Sequence, residues 1–210
     1  MLNIGVMFRN NEQLVVPFFF FLRKSTTIPI RVYALNQASS DNTESNISAC
    51  LEDNDVLVNV CENLGCAGGR NKILTAMVER EGDYHDIVLI DSDAYIILHK
   101  SIENMAKTNG EIVYGRTIAF YDQRIGRDGM CFCLIRGEVF NKIGCFNDRF
   151  KLFYDDTIFA ETAITSGIQP VTCENSLAVH MLGSTIRFGS ESHRAEACYN
   201  HDKDLYNELR

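Results

Sequence analysis

The chain has 210 residues, of which 46% are hydrophobic and 23% charged, and its formal net charge is −8. That length suits one domain with a full core, and the composition is that of a soluble globular protein rather than a disordered or fibrous one. The acidic balance excludes a broad basic footprint for gripping a nucleic-acid backbone, although a local basic groove remains compatible with it.

Short β-branched and aliphatic runs alternate with helical patterns. Asn3–Phe8 reads as a strand, followed by the polar loop Arg9–Gln13 and a helix over Leu14–Lys24, with Pro17 tolerable in a first turn. Within that helix the run Val15–Leu22, VVPFFFFL, is much shorter than the roughly 20 apolar residues that span a bilayer. It suits a helix face buried on a sheet, and it leaves a peripheral membrane contact open. Pro29–Leu35 is a second strand and runs into the turn-forming cluster 36–43. Thr43 or Ser45 caps a short helix ending near Leu51.

Val56–Val60 is a third strand. A glycine-rich turn over Glu62–Asn71 leads to a helix over Lys72–Arg80. Strand, glycine-rich turn and helix together let backbone approach an anion closely. The turn matches neither common nucleotide-loop motif, so a plain tight turn is the simpler reading. Next comes Ile87–Leu98, IVLIDSDAYIIL, a buried strand that ends in Asp91-Ser92-Asp93. Buried carboxylates are costly unless a cation meets them, and hard oxygen ligands at this spacing suit Mg²⁺ or Mn²⁺. By itself the pair is more simply read as a polar strand-to-loop turn.

Helices are expected over Ser101–Thr108, Gly137–Ile143 and Thr157–Ser166, with Asp155 or Asp156 at the N-terminus of the last. Strands are expected over Ile112–Arg116, Met130–Ile135, Pro170–Cys173 and Leu177–Met181, and a charged helical tail over Ser192–Arg210. Ala119–Gly129 reads as a surface or active-site loop. The eight cysteines show no zinc-like spacing and read as reduced thiols of a cytoplasmic protein, in a chain without secretory or membrane-spanning segments. Strands alternating with helices give an α/β fold with a mostly parallel sheet. The polar clusters 36–43, 62–71 and 91–93 then fall at strand ends and converge on one cleft.

Four segments, in order, resemble the family 2 glycosyltransferases of GT-A type, particularly the rhamnosyltransferase-like members. NQASSDNT (36–43) is similar to the family's DNxSxDxT turn, and NLGCAGGRN (63–71) closely resembles its NxGxAGGxN loop. Asp91-Ser92-Asp93 stands at the D-x-D, and GCFNDRFKLFYDD (144–156) resembles the late acidic segment. His180 in VHMLGS adds the late histidine seen in related proteins. The resemblance runs from the first strand to about Ser184 and implies one GT-A catalytic domain over residues 1–210.

The resemblance implies inverting transfer of a sugar from a UDP-, dTDP-, CDP- or GDP-sugar to an acceptor hydroxyl, with Mn²⁺ or Mg²⁺. Metal contacts fall to Asp93, Asp91 and His180. Donor contacts fall to Asn36, Ser39, Asp41, Asn63, Gly65, Gly68, Gly69, Arg70, Asn71 and Asp91. Asp156 is the matching base, with Asp155 beside it. Asn36 replaces the usual Asp, which leaves the donor base open; Arg70 replaces a smaller residue and is expected to reach the diphosphate. Ile158 and Asn147 stand where acidic residues are common.

The default acceptor is a glycan or glycolipid. A second reading is a phage-type enzyme glycosylating a modified DNA base, with Arg116, Arg124, Arg127, Arg187, His193 and Arg194 along an acceptor groove. A nucleotidyltransferase would want a basic glycine-rich N-terminal loop, which Gly5–Gln13 does not supply. An inactive nucleotide-sugar-binding module is the reading from another class, and the intact Asp91, Asp93 and Asp156 count against it.

Overall fold

A computed structural model describes residues 1–120, 125–126, 129–181 and 192–210. The elements in chain order are β1 (Leu2–Phe8), α1 (Glu12–Ser25), β2 (Ile30–Gln37), α2 (Thr43–Cys50), β3 (Val56–Val60) and α3 (Gly65–Glu81). They continue with β4 (Ile87–Ile90), β5 (Ala94–Ile96), α4 (Ser101–Lys107), β6 (Ile112–Ala119), β7 (Ile125–Gly126) and β8 (Phe132–Ile135). The last are α5 (Gly137–Ile143), α6 (Asp155–Thr165), β9 (Val171–His180) and α7 (Ser192–Glu208).

Among the described residues, nine strands form one sheet in the order β3-β2-β1-β4-β8-β6-β9-β5, with β7 paired to β6. Neighbours from β3 to β4 are parallel, as is β6 with β9, while β8, β5 and β7 pair antiparallel. Side chains alternate between the two faces, as the pleat requires. From β4, Val88 and Ile90 face one apolar cluster with α1, α2 and α4, whereas Ile87 and Leu89 face another with α3, α5 and α6. A strand covered on both sides has no polar face, which is why its sequence reads as an unbroken aliphatic run.

Several boundaries differ from the sequence expectation for identifiable reasons. Helix α1 starts at Glu12, so Pro17 lies in its second turn and the carbonyl of exposed Gln13 loses its intrahelical donor. The glycine-rich stretch is not a loop ahead of a helix but the first turns of α3. Asn63 Oδ1 accepts the Gly65 amide at 2.9 Å, and Gln37 Oε1 accepts the Leu64 amide at 3.0 Å. Gly65 has φ +79°, and a Cβ there would meet the Lys151 carbonyl oxygen at 2.2 Å. The segment after Asp93 pairs with β9 as the short edge strand β5. The two late strands are one strand, β9, whose register against β6 shifts between Gly115 and Arg116.

Candidate active site

The end of β4 is where the strand leaves its cover. Asp91 and Asp93 follow it directly, and the Ala94–His180 pairing of β5 with β9 brings the histidine alongside. The Met181 amide donates to the Asp93 carbonyl at 3.0 Å, which ties the two segments together. His180 Nε2 lies 3.4 Å from Asp93 Oδ1 and 3.9 Å from Asp91 Oδ2. One ligand atom from each of the three residues falls within 4.8 Å of the others. Two carboxylates and an imidazole so placed fit a divalent cation of the Mn²⁺ type.

The electrostatics agree with that fit. Burial pushes the Asp91 carboxyl up to about 6; the Arg70 guanidinium pulls it down, and the Asp93 charge adds to the rise. Asp91 sits deep among protein atoms yet keeps 33% of its side-chain surface open to the cleft. Crowded carboxylates of this kind are relieved by a bound cation.

The triad opens onto a cleft of about 270 Å³. Its walls come from the carboxyl ends of β1 (Phe8, Arg9), β2 (Gln37) and β4 (Asp91), and from Asn63, Gly65 and Cys66 where α3 begins. The expected convergence of the three polar clusters is therefore present, although Gln37 is the cleft residue from 36–43. Burial raises the Cys66 thiol, so it lines the wall as a neutral group and not as a nucleophile. Ala195 and Cys198 of α7 close the opposite side together with Lys151 and Leu152.

The helix α7 is fastened there by Asp202, which is fully buried. Its Oδ2 accepts the amides of Lys151, Leu152 and Phe153 at 3.1, 2.8 and 2.9 Å. Three successive N–H groups turned onto one carboxylate form an anion nest. Burial pushes this carboxyl up, but the Phe153 amide, His201 and the neighbouring amides outweigh it and hold it below the usual range. Tyr154 stacks on Tyr206 with ring centroids 4.8 Å apart, which adds an apolar seam.

The remaining expected site residues divide into those near the cleft and those that build its frame. Asn36 is buried and donates to Asn59 Oδ1 at 3.0 Å and Glu44 Oε2 at 3.3 Å. Ser39 Oγ accepts the Asn10 amide at 3.0 Å, and Asp41 Oδ2 accepts the Glu12 amide at 3.2 Å, so both shape the β1–α1 loop. Gly69 lets Met7 and Gln37 pack close, since a Cβ would come within 2.5 Å of Met7 Sδ. Gly68 is less constrained: a Cβ there would meet the Leu64 Cβ at 3.0 Å. Asn71 clamps Phe146, donating to its carbonyl at 2.8 Å and accepting its amide at 3.0 Å.

Arg70 departs most from expectation. It is buried, forms an ion pair with Asp155 and lies 3.7 Å from Asp91. Its guanidinium also rests 5.3 Å from the Phe146 ring centroid. Burial opposes the guanidinium charge, but Asp155 and Asp91 outweigh it. The side chain thus braces two carboxylates from below and does not extend into the cleft as a free cation. Asp155 is correspondingly spent on Arg70 and buried. Asp156 is only partly covered; its Oδ1 accepts the Thr157 amide at 2.7 Å. Gly129 packs against Asp156 so closely that a Cβ there would fall 1.9 Å from Oδ2.

Arg9, Gln37 and Lys151 were not identified as cleft residues from sequence; the helical tail was expected over Ser192–Arg210 and is present as α7 (Ser192–Glu208), but its place at the cleft was not. Arg9 follows β1 as Asp91 follows β4, and that position at a strand's carboxyl end is the signal that could have found it. Of the basic set considered for DNA, Arg116 lies 3.6 Å from Glu174. Arg124, Arg127 and Arg187 and the side chains of His193 and Arg194 lie outside the described residues, as does most of VHMLGS after Met181. None of the eight cysteines is in a disulfide.

No protein-family profile matches the chain, and no curated protein matches it. Solved structures do. The mannosyltransferase PcManGT from Pyrobaculum calidifontis, in complex with GDP-Man and Mn²⁺, superposes with a TM-score of 0.66 at 18% identity, over 92% of this chain and 59% of that one. S. aureus TarS 1–349 in complex with UDP gives 0.63 at 15% identity, over 85% of this chain and 60% of that one. Glucosyl-3-phosphoglycerate synthase from Mycobacterium tuberculosis, with Mn²⁺, UDP and glucosyl-3-phosphoglycerate, gives 0.62 at 14% identity, over 95% and 78%. The fold is that of the GT-A glycosyltransferases. Its span is about three-fifths of the length of the first two of these structures.

Proposed function

We propose that the chain is a metal-dependent, inverting glycosyltransferase that moves a hexosyl or pentosyl group from a nucleotide-sugar to an acceptor hydroxyl. The observation that carries this reading is the Asp91–Asp93–His180 cluster at the mouth of a cleft, in a GT-A fold. Asp91, Asp93 and His180 would hold a divalent cation, Mn²⁺ by analogy with the complexes of the structural neighbours. Such a cation supplies Lewis-acid stabilisation of negative charge on a departing diphosphate.

The chain's own residues account for the rest of the proposal. Phe8, Arg9, Gln37 and Asn63 line the donor side of the cleft, and a UDP- or GDP-sugar is the donor class favoured by the neighbours' ligands. In a direct displacement the acceptor oxygen forms a bond to the anomeric carbon while the bond from that carbon to the diphosphate oxygen breaks. The electron pair leaves with the diphosphate, and the hydroxyl proton passes to a carboxylate. We assign that carboxylate to Asp156, because Asp155 is committed to Arg70. Geometry comes first for a base, and Asp156 is the member of the pair with open surface. A glycan or glycolipid is the default acceptor.

The test is thermal stability against UDP, GDP and their sugars, with and without Mn²⁺, followed by donor hydrolysis in the absence of acceptor. A ligand that binds the native state alone raises the melting temperature. The proposal expects a metal-dependent shift with one nucleotide that Asp93→Ala removes. Absence of a shift across the whole panel would sink it in favour of an inactive module.

A further inference from the structure

The outer face of α1 is not needed by the site. Its inner face, Val15, Phe18, Phe19 and Leu22, is buried on the sheet at helical spacing. The residues between them are not covered: Gln13, Val16, Phe20, Phe21 and Lys24 are exposed. The stripe continues onto a second segment. Phe21 contacts Tyr95 of the edge strand β5 at 5.4 Å between ring centroids. The Lys100 amide donates to the Ser25 carbonyl at 2.6 Å, and His99 Nδ1 lies 3.3 Å from the Lys24 carbonyl oxygen. The loop of Ile97, Leu98, His99 and Lys100, exposed throughout, is thereby fastened to the end of α1.

Val16, Phe20, Phe21, Ile97 and Leu98 form one surface, with individual exposures from 36% to 57%. Single exposed apolar residues are ordinary, but a contiguous set with two phenylalanines on a helix is a contact surface. Its charged members, Lys24 and Lys100, are both basic, with the His99 imidazole between them in the loop, and the stripe includes no carboxylate. The acidic groups packed nearest are engaged elsewhere. Asp55 and Glu52 pair with Arg23, and Glu103 accepts the Thr27 amide and hydroxyl.

We propose that this surface docks on an anionic lipid bilayer, with Phe20, Phe21, Ile97 and Leu98 in the acyl–headgroup boundary and Lys24, His99 and Lys100 against the headgroups. Aliphatic and aromatic side chains flanked by cations are the chemistry of an interfacial helix. The bilayer is favoured over an acidic protein because the cations border an apolar surface instead of forming a separate basic patch. The net charge of −8 opposes any other face approaching the same lipids, so the local cations set the orientation. Ile97 lies four residues beyond Asp93, within about 15 Å along an extended chain. Docking would therefore hold the Asp91–Asp93–His180 cluster near the headgroup plane.

The test is co-sedimentation of the full chain with phosphatidylcholine vesicles and with vesicles containing phosphatidylglycerol. Pelleting with the anionic vesicles, weakened by salt, is expected. The paired variant Phe20→Ser, Leu98→Ser should reduce it about tenfold or more at unchanged melting temperature, and Lys24→Glu should reduce it a few-fold. Both sites are solvent-facing, and a melting scan separates lost binding from lost fold. Failure to pellet with anionic vesicles overturns the proposal, as does equal pelleting of the paired variant. A concentration-dependent dimer that the same variant dissolves also overturns it, because the occupant is then a second copy. Vesicle binding is read without donor or metal, so its outcome is separate from that of the transferase proposal.

Discussion

Asp91–Asp93 and Asp155–Asp156 look alike in the sequence: each closes an apolar run with two carboxylates. In the folded chain they differ because of where one cation sits. Arg70 makes its ion pair with Asp155 and stays 3.7 Å from Asp91. The late pair is thus split into a neutralised member and a partly open one. Among the described residues the early pair has no such close cation; His180 is its neighbour, and burial raises Asp91. Two acidic pairs that each end an apolar run can therefore be a frame in one place and a candidate ligand set in another, and the deciding residue comes from a third element, α3.

The sharpest break in that comparison is removal of a ligand. Asp93→Ala should lower kcat by about ten-thousandfold or more, since a metal's charge stabilisation is worth several kcal/mol of barrier. The fold should survive, because the substitution also removes crowding from Asp91. Initial rates at saturating Mn²⁺, beside a melting scan, check both halves. Activity within tenfold of the parent would remove Asp93 from the ligand set.

Arg70→Met attacks the frame. It strands Asp155 as an unpaired buried charge, which typically costs about 3–5 kcal/mol. Urea unfolding should show that loss, whereas the double variant Arg70→Met, Asp155→Leu should recover most of it. If the single substitution is nearly neutral, the brace between α3 and α6 carries no weight and Arg70 returns as a candidate donor contact.

Asp156→Asn sharpens the division inside the late pair. A lost general base costs on the order of a hundredfold in rate, here with little change in stability. Asp155→Asn should show the reverse pattern, lower stability and a smaller direct effect on kcat. A hundredfold rate loss confined to Asp155→Asn would exchange the two assignments.

How much of this was legible follows from the range of each interaction. The strand run Ile87–Ile90, the carboxylates after it and the convergence of strand ends depend on local pattern and on the topology of α/β sheets. They were readable. His180 was expected beside Asp93 through the family resemblance and not from spacing, because its place there requires the β5–β9 pairing, and β5 is only three residues long. The Arg70–Asp155 pair joins positions 85 residues apart, and no spacing rule reaches across that distance. The helical start at Gly65 was hidden for another reason. Glycine-rich composition disfavours helix, and tertiary contacts overrode it: the Lys151 carbonyl accepts the Cys66 amide at 2.8 Å where α3 begins. The same dependence hid the position of α7 over the cleft, which is set by one buried carboxylate, although the helix itself was expected.

That carboxylate, Asp202, gives the smallest effect and the one most specific in pH. Its folded-state pKa is held below the ordinary value, so it binds fewer protons in the folded chain than in the unfolded one. Its contribution to stability is therefore present above the unfolded carboxylate value of about 4 and is lost as pH falls through the lowered folded value. Asp202→Asn keeps an acceptor for the nest but removes its charge, and should cost about 1 kcal/mol at neutral pH. The difference between parent and variant should shrink on acidification below about pH 4. Urea midpoints measured at several pH values test this directly. A constant difference across the range would mean that the nest of Lys151, Leu152 and Phe153 does not sense the charge. The fastening of α7 would then rest on the Tyr154–Tyr206 seam instead.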